Sequence, residues 1–122
     1  MKLAIVSPYS WTVPSGVNSH VASLAGRLQE RGHEVKIIAP AGTVMHRAKN
    51  LPENFIVAGR TFPVPSNGSV ANVNVWPFMI QKMSRVLARQ DLDLIHVHEP
   101  NGASVGAAAV LAAKLPVVGT FH

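Results

Sequence analysis

The sequence predicts an α/β domain with a doubly wound, mainly parallel sheet and helices on both of its faces. Three observations carry that prediction. Short apolar runs rich in branched residues recur along the chain, helical stretches alternate with them, and Pro, Gly or polar clusters punctuate the boundaries. Leu3 to Val6 is the first run and stops at Pro8, as a strand buried on both faces should. A loop containing Pro14-Ser15-Gly16 follows. From Val17 the apolar residues Val17, Val21, Leu24, Ala25 and Leu28 recur at helical spacing, with Gly32 as the C-terminal signal. Val35 to Ala39 is the second strand, ending at Pro40, so the opening unit is βαβ and crosses over right-handedly.

Between Ala41 and Ser69 the pattern weakens. Short strands are expected at Phe55 to Ala58 and Thr61 to Val64, and Ser66-Asn67-Gly68-Ser69 reads as a turn. Pro77 suits a first helical turn, and the segment to about Gln90 places Met79, Met83, Val86 and Leu87 on one side. Leu92 to Val97 is the next strand, and Asn101 is the expected N-cap of a small-residue helix from Ala103 to Lys114. Pro116 to Phe121 is the last strand. Residues 1–122 thus read as a single Rossmann-like domain.

Composition narrows the chemistry. With no cysteine among 122 residues, disulfides, thiolate metal sites and cysteine catalysis are excluded, and a cytoplasmic location fits. A net charge of +5 favours an anionic partner. The apolar start before Ser7-Pro8 is too short for a signal peptide, and the stretch from Gly102 to Gly119 is too short and too interrupted to span a bilayer.

Ligands of doubly wound sheets bind beyond the carboxyl ends of the strands. That rule selects residues 7 to 16, His98 to Asn101, and His122. The first loop feeds a helix N-terminus, where free amide donors and the positive dipole end favour phosphate, and Gly16 leaves the approach open. Equally, Ser15 and Gly16 can simply make the turn and cap the helix. The Gly-x-Gly-x-x-Gly fingerprint is absent, the second strand ends in Ala39-Pro40 with no acid for a ribose, and no Walker sequence occurs. His96 and His98 share one strand face, which admits a metal pair completed by Glu99 or His122, but no second ligand motif supports it. His96 is therefore read as a packed or hydrogen-bonded residue and His98 as lying at the crevice rim; no metal site and no tightly bound cofactor are expected. Lys82, Arg85 and Arg89 share one face of the second helix, either solvated or set against an anionic membrane.

Several segments carry a family resemblance. Pro8-Tyr9-Ser10, the run from Pro14 to Val21, and Arg31-Gly32-His33-Glu34-Val35 resemble the start of family 4 glycosyltransferases of GT-B architecture. The segments 67–71, His96 to Asn101 and Gly119 to His122 look particularly like the bacterial phosphatidylinositol mannosyltransferase subgroup. The chain departs from that subgroup at Thr12, Ser15, Asn18 and Asn72.

The resemblance implies the N-terminal, acceptor-side half of a retaining enzyme. It would take a sugar from a nucleotide donor such as GDP-mannose and pass it to a lipid or polyol acceptor such as phosphatidylinositol. It implies Gly16 at the donor diphosphate and His122 at the transferred sugar as the catalytic side chain. Tyr9, Asn18, Asn67, Ser69 and Thr120 are implied at the acceptor, and Lys82, Arg85 and Arg89 at the inner face of the cell membrane. It also implies a C-terminal donor-binding domain, absent from these residues, without which the chain would be inactive. The alternatives are a non-catalytic acceptor- or membrane-binding subunit with a separate donor-binding partner chain, and a basic nucleic-acid-binding domain. The latter has no recognised motif behind it, so no nucleic acid is expected as a partner.

Overall fold

The computed structural model describes residues 1–42, 49–59, 62–66, 69–73, 78–100 and 104–122, with 62–66 and 69–73 described by their backbone. Its centre is a five-stranded, wholly parallel sheet in the order β3-β2-β1-β6-β7, built from β1 (Lys2–Val6), β2 (Glu34–Ala39), β3 (Phe55–Val57), β6 (Leu94–His98) and β7 (Val117–Thr120). A separate antiparallel hairpin joins β4 (Phe62–Ser66) to β5 (Ser69–Val73). The helices are α1 (Gly16–Glu30), α2 (Phe78–Ala88) and α3 (Val105–Ala112). This is the α/β Rossmann-like form expected of the N-terminal half of a GT-B architecture.

Alternation along the strands divides the core between the two faces of the sheet. Leu3 and Ile5 of β1 pack with Val35, Ile37 and the α1 residues Val21 and Ala25. Ala4 and Val6 turn the other way, joining Ile38, Ile95 and Val97 with Met79, Met83 and Leu87 of α2 and Val105, Ala108 and Ala109 of α3. Helices therefore cover both faces. Each large side chain taken fully out of water, such as Ile5, Ile38, Ile95 or Met83, stabilises the fold by roughly 1.5–3 kcal/mol.

Both ends of α1 follow from sequence. Ser15 is its N-cap, and its hydroxyl oxygen accepts from the Asn18 amide at 3.0 Å. At the other end Gly32 has φ +91°, a conformation natural only to glycine, and donates to the Gln29 carbonyl at 2.9 Å. His33 N–H reaches back to the Leu28 carbonyl at 3.1 Å, completing a Schellman motif.

The structure corrects two expectations outside the sheet core. Ser66 and Ser69, the outer residues of the expected turn, are the last cross-strand pair of the β4–β5 ribbon, whose second strand β5 the sequence reading lacked. The third helix begins later than expected, because Ser104 caps it by accepting from the Ala107 amide at 3.1 Å. Asn67, Pro77 and Asn101 lie outside the described residues, as does the Ser69 side chain. Among the described residues no helix is long and apolar enough to cross a membrane.

Candidate functional site

Strand order reverses at β1, since β2 and β3 lie to one side of it and β6 and β7 to the other. A crevice opens at such a point beyond the strand carboxyl ends. The segment after β1 lines one wall and is tied down by Ser7 N–H to the Ile38 carbonyl at 2.9 Å and Trp11 N–H to the Pro40 carbonyl at 2.8 Å. Asn18, in the first turn of α1, organises the same loop from inside. Its Oδ1 accepts from the Ser7 hydroxyl at 2.7 Å, while its Nδ2 donates to the Ser10 carbonyl at 2.9 Å and, more loosely, to that of Val13 at 3.4 Å. Asn18 is only 6% exposed, so its amide is committed to shaping the wall.

Register assembles a row of imidazoles on the other wall. His96 and His98 share parity with Leu94, which belongs to the α1 side of the core. Strand pairing sets His98 against Thr120, with His122 two residues further along. His20, exposed on α1, comes down on this row from the helix above it.

The rings of His96 and His98 stack at 4.5 Å between centroids and those of His98 and His122 at 5.1 Å. His20 stands edge-on to both His98 and His122, at 5.5 Å from each. His96 Nε2 is 2.7 Å from the Thr120 hydroxyl, and His98 Nδ1 is 2.8 Å from His122 Nε2. The expectation that His98 sits at the crevice rim is corrected: it is completely buried, enclosed by the rings of its own row and by α1. His122 is exposed. Its backbone N–H donates to the Glu99 carboxylate, while Glu99 N–H donates to the Thr120 carbonyl at 2.8 Å. Glu99 holds this position at φ +50°, a left-handed conformation uncommon for a residue with a side chain.

Burial, then the neighbouring imidazoles of His96, His122 and His20, push His98 down to about 4, and burial followed by His20 and His122 lowers His96. Both rings therefore bind a proton more readily in the unfolded chain, whose histidines titrate near their ordinary value of 6.5. Their contribution to stability is complete above about pH 6.5 and is lost as pH falls below it, for His98 down to about 4. The slope is at most about 1.4 kcal/mol per pH unit for each proton taken up. Urea unfolding at pH 7, 6 and 5 should show this decline, and His98→Asn should flatten it. A wild-type stability constant across that range would contradict the assignment.

Gly16 opens α1, and a Cβ built on it meets nothing within 4 Å. Its φ is not in the left-handed region, so neither turn geometry nor crowding demands glycine here. No acidic residue occupies that first turn, which leaves the positive helix end uncompensated. His20 lies one helical turn after Gly16 and its ring is 5.5 Å from that of His122, so the helix opening and the terminal imidazole flank one crevice. Tyr9, 45% exposed, stands on the loop between β1 and α1.

Lys82, Arg85 and Arg89 are exposed, whereas Met79, Met83 and Leu87 are buried. A cavity of about 260 Å³ between α2 and α3, lined by Leu87, Leu92, Ile95, Ala112 and Leu115, lies towards the amino ends of β6 and β7. It contains none of the crevice residues. Among the described residues, no group of three or more His, Asp or Glu is arranged to hold a metal ion. Sequence reasoning missed the place of His20 beside the imidazole row, and it selected Ser7 only as part of residues 7 to 16, without its bond to Asn18. The signal for His20 was positional, one turn from Gly16.

Comparison with known proteins agrees with this geometry. The family described as Glycosyltransferase Family 4 matches residues 14–122. The chain is 42% identical, over all 122 residues, to a phosphatidyl-myo-inositol mannosyltransferase of Mycolicibacterium smegmatis, covering 31% of that protein. Identity is 43% to the protein of the same description from Mycobacterium tuberculosis, again over the whole chain and 31% of the relative. It is 38% to that of Propionibacterium freudenreichii, of which 33% is covered. The chain thus spans about a third of the length of these relatives, and every part of it finds its counterpart in them. With the family match reaching from the crevice loop to the terminal imidazole, the chain belongs to Glycosyltransferase Family 4.

Proposed function

We propose that these residues belong to the acceptor-side half of a retaining glycosyltransferase that moves mannose from GDP-mannose to a lipid or polyol acceptor, with phosphatidylinositol the leading candidate. One observation supports the reading: the ring of His20, one helical turn after the open helix end at Gly16, lies 5.5 Å from the exposed imidazole of His122. The names of the relatives supply mannose and phosphatidylinositol.

In this reading the donor diphosphate lies on the first turn of α1, where its charge meets free amide donors and the helix dipole. His122 hydrogen-bonds a hydroxyl of the transferred sugar and sets its orientation. Tyr9, Asn67 and Ser69 contact the acceptor, Thr120 supports it from the edge of the imidazole row, and Asn18 acts by shaping the loop that carries Tyr9. The donor phosphate takes the acceptor proton on the face from which it departs, so the protein contributes positioning and charge stabilisation. Lys82, Arg85 and Arg89 rest on anionic lipid at the inner face of the cell membrane.

The test is transfer of labelled mannose from GDP-mannose to phosphatidylinositol vesicles by the protein at its full natural length. Replacing His122 with Ala should lower kcat about 10²- to 10³-fold, as loss of one aligned donor does. Transfer by that variant within threefold of wild type would overturn the role of His122. Transfer from another nucleotide sugar alone would overturn the choice of mannose and leave the site standing.

A further inference from the structure

We propose that His98 is a positioning residue: its Nδ1–H donates to Nε2 of His122, locks that ring in one tautomer, and leaves the His122 Nδ1–H to meet substrate. The inference rests on the reading of His122 as the side chain that contacts the sugar. It begins from an asymmetry between two rings that touch. His98 is wholly buried and held between neighbours, whereas His122 is exposed beyond the end of its strand. The 2.8 Å contact between His98 Nδ1 and His122 Nε2 therefore anchors a free ring to a fixed one.

The direction of that bond follows from the other nitrogen of His98. Its Nε2 is buried with no hydrogen-bond partner among the described residues. A neutral imidazole carries one N–H and one bare nitrogen. If the proton sat on Nε2, the fold would bury an unsatisfied donor, a rarity in native proteins; on Nδ1 it leaves only an unused lone pair. The ring stays neutral at pH 7, since burial holds it near 4. His98 is thus the donor and His122 Nε2 the acceptor. A neutral His122 must then carry its proton on Nδ1.

Neighbouring groups reinforce the arrangement. Glu99 fixes the His122 backbone through its N–H, His96 backs His98 from below while bonded to the Thr120 hydroxyl, and His20 stands edge-on to His98 and His122. Two consecutive residues at the end of β6 thus hold the backbone and the ring of His122 separately.

Long-range proton–nitrogen NMR of the histidine-labelled chain at pH 7 tests this directly. The expected result is a protonated Nδ1 and a bare Nε2 on both His98 and His122. His98→Asn, whose amide nitrogen can occupy the place of Nδ1, should keep the His122 tautomer. His98→Leu should release it to a mixture of both forms, with a fall in kcat of about tenfold at unchanged donor KM. A proton on His98 Nε2, or a His122 tautomer untouched by His98→Leu, would overturn the proposal, and the wild-type spectrum decides even if the leucine variant misfolds. Full transfer by His122→Ala would instead sink the reading beneath it, because the tautomers are observed without turnover.

Discussion

Replacing Gly16 with Asp is expected to strengthen the fold while weakening donor binding at least about a hundredfold, and the opposite signs separate a structural glycine from a functional one. The backbone at Gly16 is not left-handed and a Cβ there meets nothing within 4 Å, so the fold tolerates a side chain. A carboxylate at the first helical position, directly after the Ser15 N-cap, should add about 0.3–1 kcal/mol through the helix dipole. For a diphosphate seated on the same turn the charge works the other way. Two like charges about 4 Å apart at a partly solvated surface repel by about 4 kcal/mol, enough for at least a hundredfold in affinity. Gly16→Ala, without the charge, should cost about tenfold. Urea unfolding reads the first effect and calorimetry with GDP-mannose, on the protein at its natural length, the second. A Gly16→Asp protein that is less stable yet binds donor normally would return Gly16 to a plain turn residue.

How far the sequence revealed the fold depended on whether local pattern and tertiary context agreed. The β1-α1-β2 unit was legible because Leu3 to Val6, the stripe from Val17 to Leu28, and Gly32 each mean the same thing locally and globally. β5 was not legible. The strand expected from Thr61 stopped at Val64, whereas β4 runs on to Ser66 through Pro63 and Pro65, residues that cannot donate to a ladder and argue against a strand in the middle of a sheet. A two-stranded ribbon tolerates them, since each of its strands keeps one outer edge, and Asn67-Gly68 between the paired Ser66 and Ser69 was the signal that should have outweighed them.

The site divided along similar lines. Gly16, the β6 end and His122 followed from the rule that ligands collect beyond strand carboxyl ends, and the His20 ring, one helical turn after Gly16, lies 5.5 Å from that of His122. The burial of His98 could not be read from the strand alone. The last residue of a strand ordinarily borders the loop, whereas here the rings of His96, His20 and His122, from three different segments, lie against it. Asn18 was likewise readable as a polar side chain near a helix start. Its commitment to Ser7 and Ser10, eleven and eight residues earlier, needed the path of the intervening loop.

Two Gly→Ala substitutions in helices should have opposite effects, and the contrast isolates the contact that supports His98 and Glu99. Propensity alone predicts that each adds up to about 1 kcal/mol. At Gly26 in α1 a Cβ meets nothing within 4 Å, so that gain should appear. At Gly106 in α3 it would lie 2.9 Å from the Glu99 carbonyl oxygen, 3.0 Å from that of His98 and 3.2 Å from Val97 Cγ1. The first two are backbone atoms and cannot swing aside, so helix or strand must shift. Overpacking of this kind costs about 1–3 kcal/mol, which outweighs the propensity gain. The displaced carbonyls belong to the two residues that hold the His122 ring and backbone, so the Gly106→Ala protein should also show altered His122 ring signals, while Gly26→Ala leaves them unchanged. Equal stability changes of the same sign in the two variants would show that α3 does not press on the end of β6 as described.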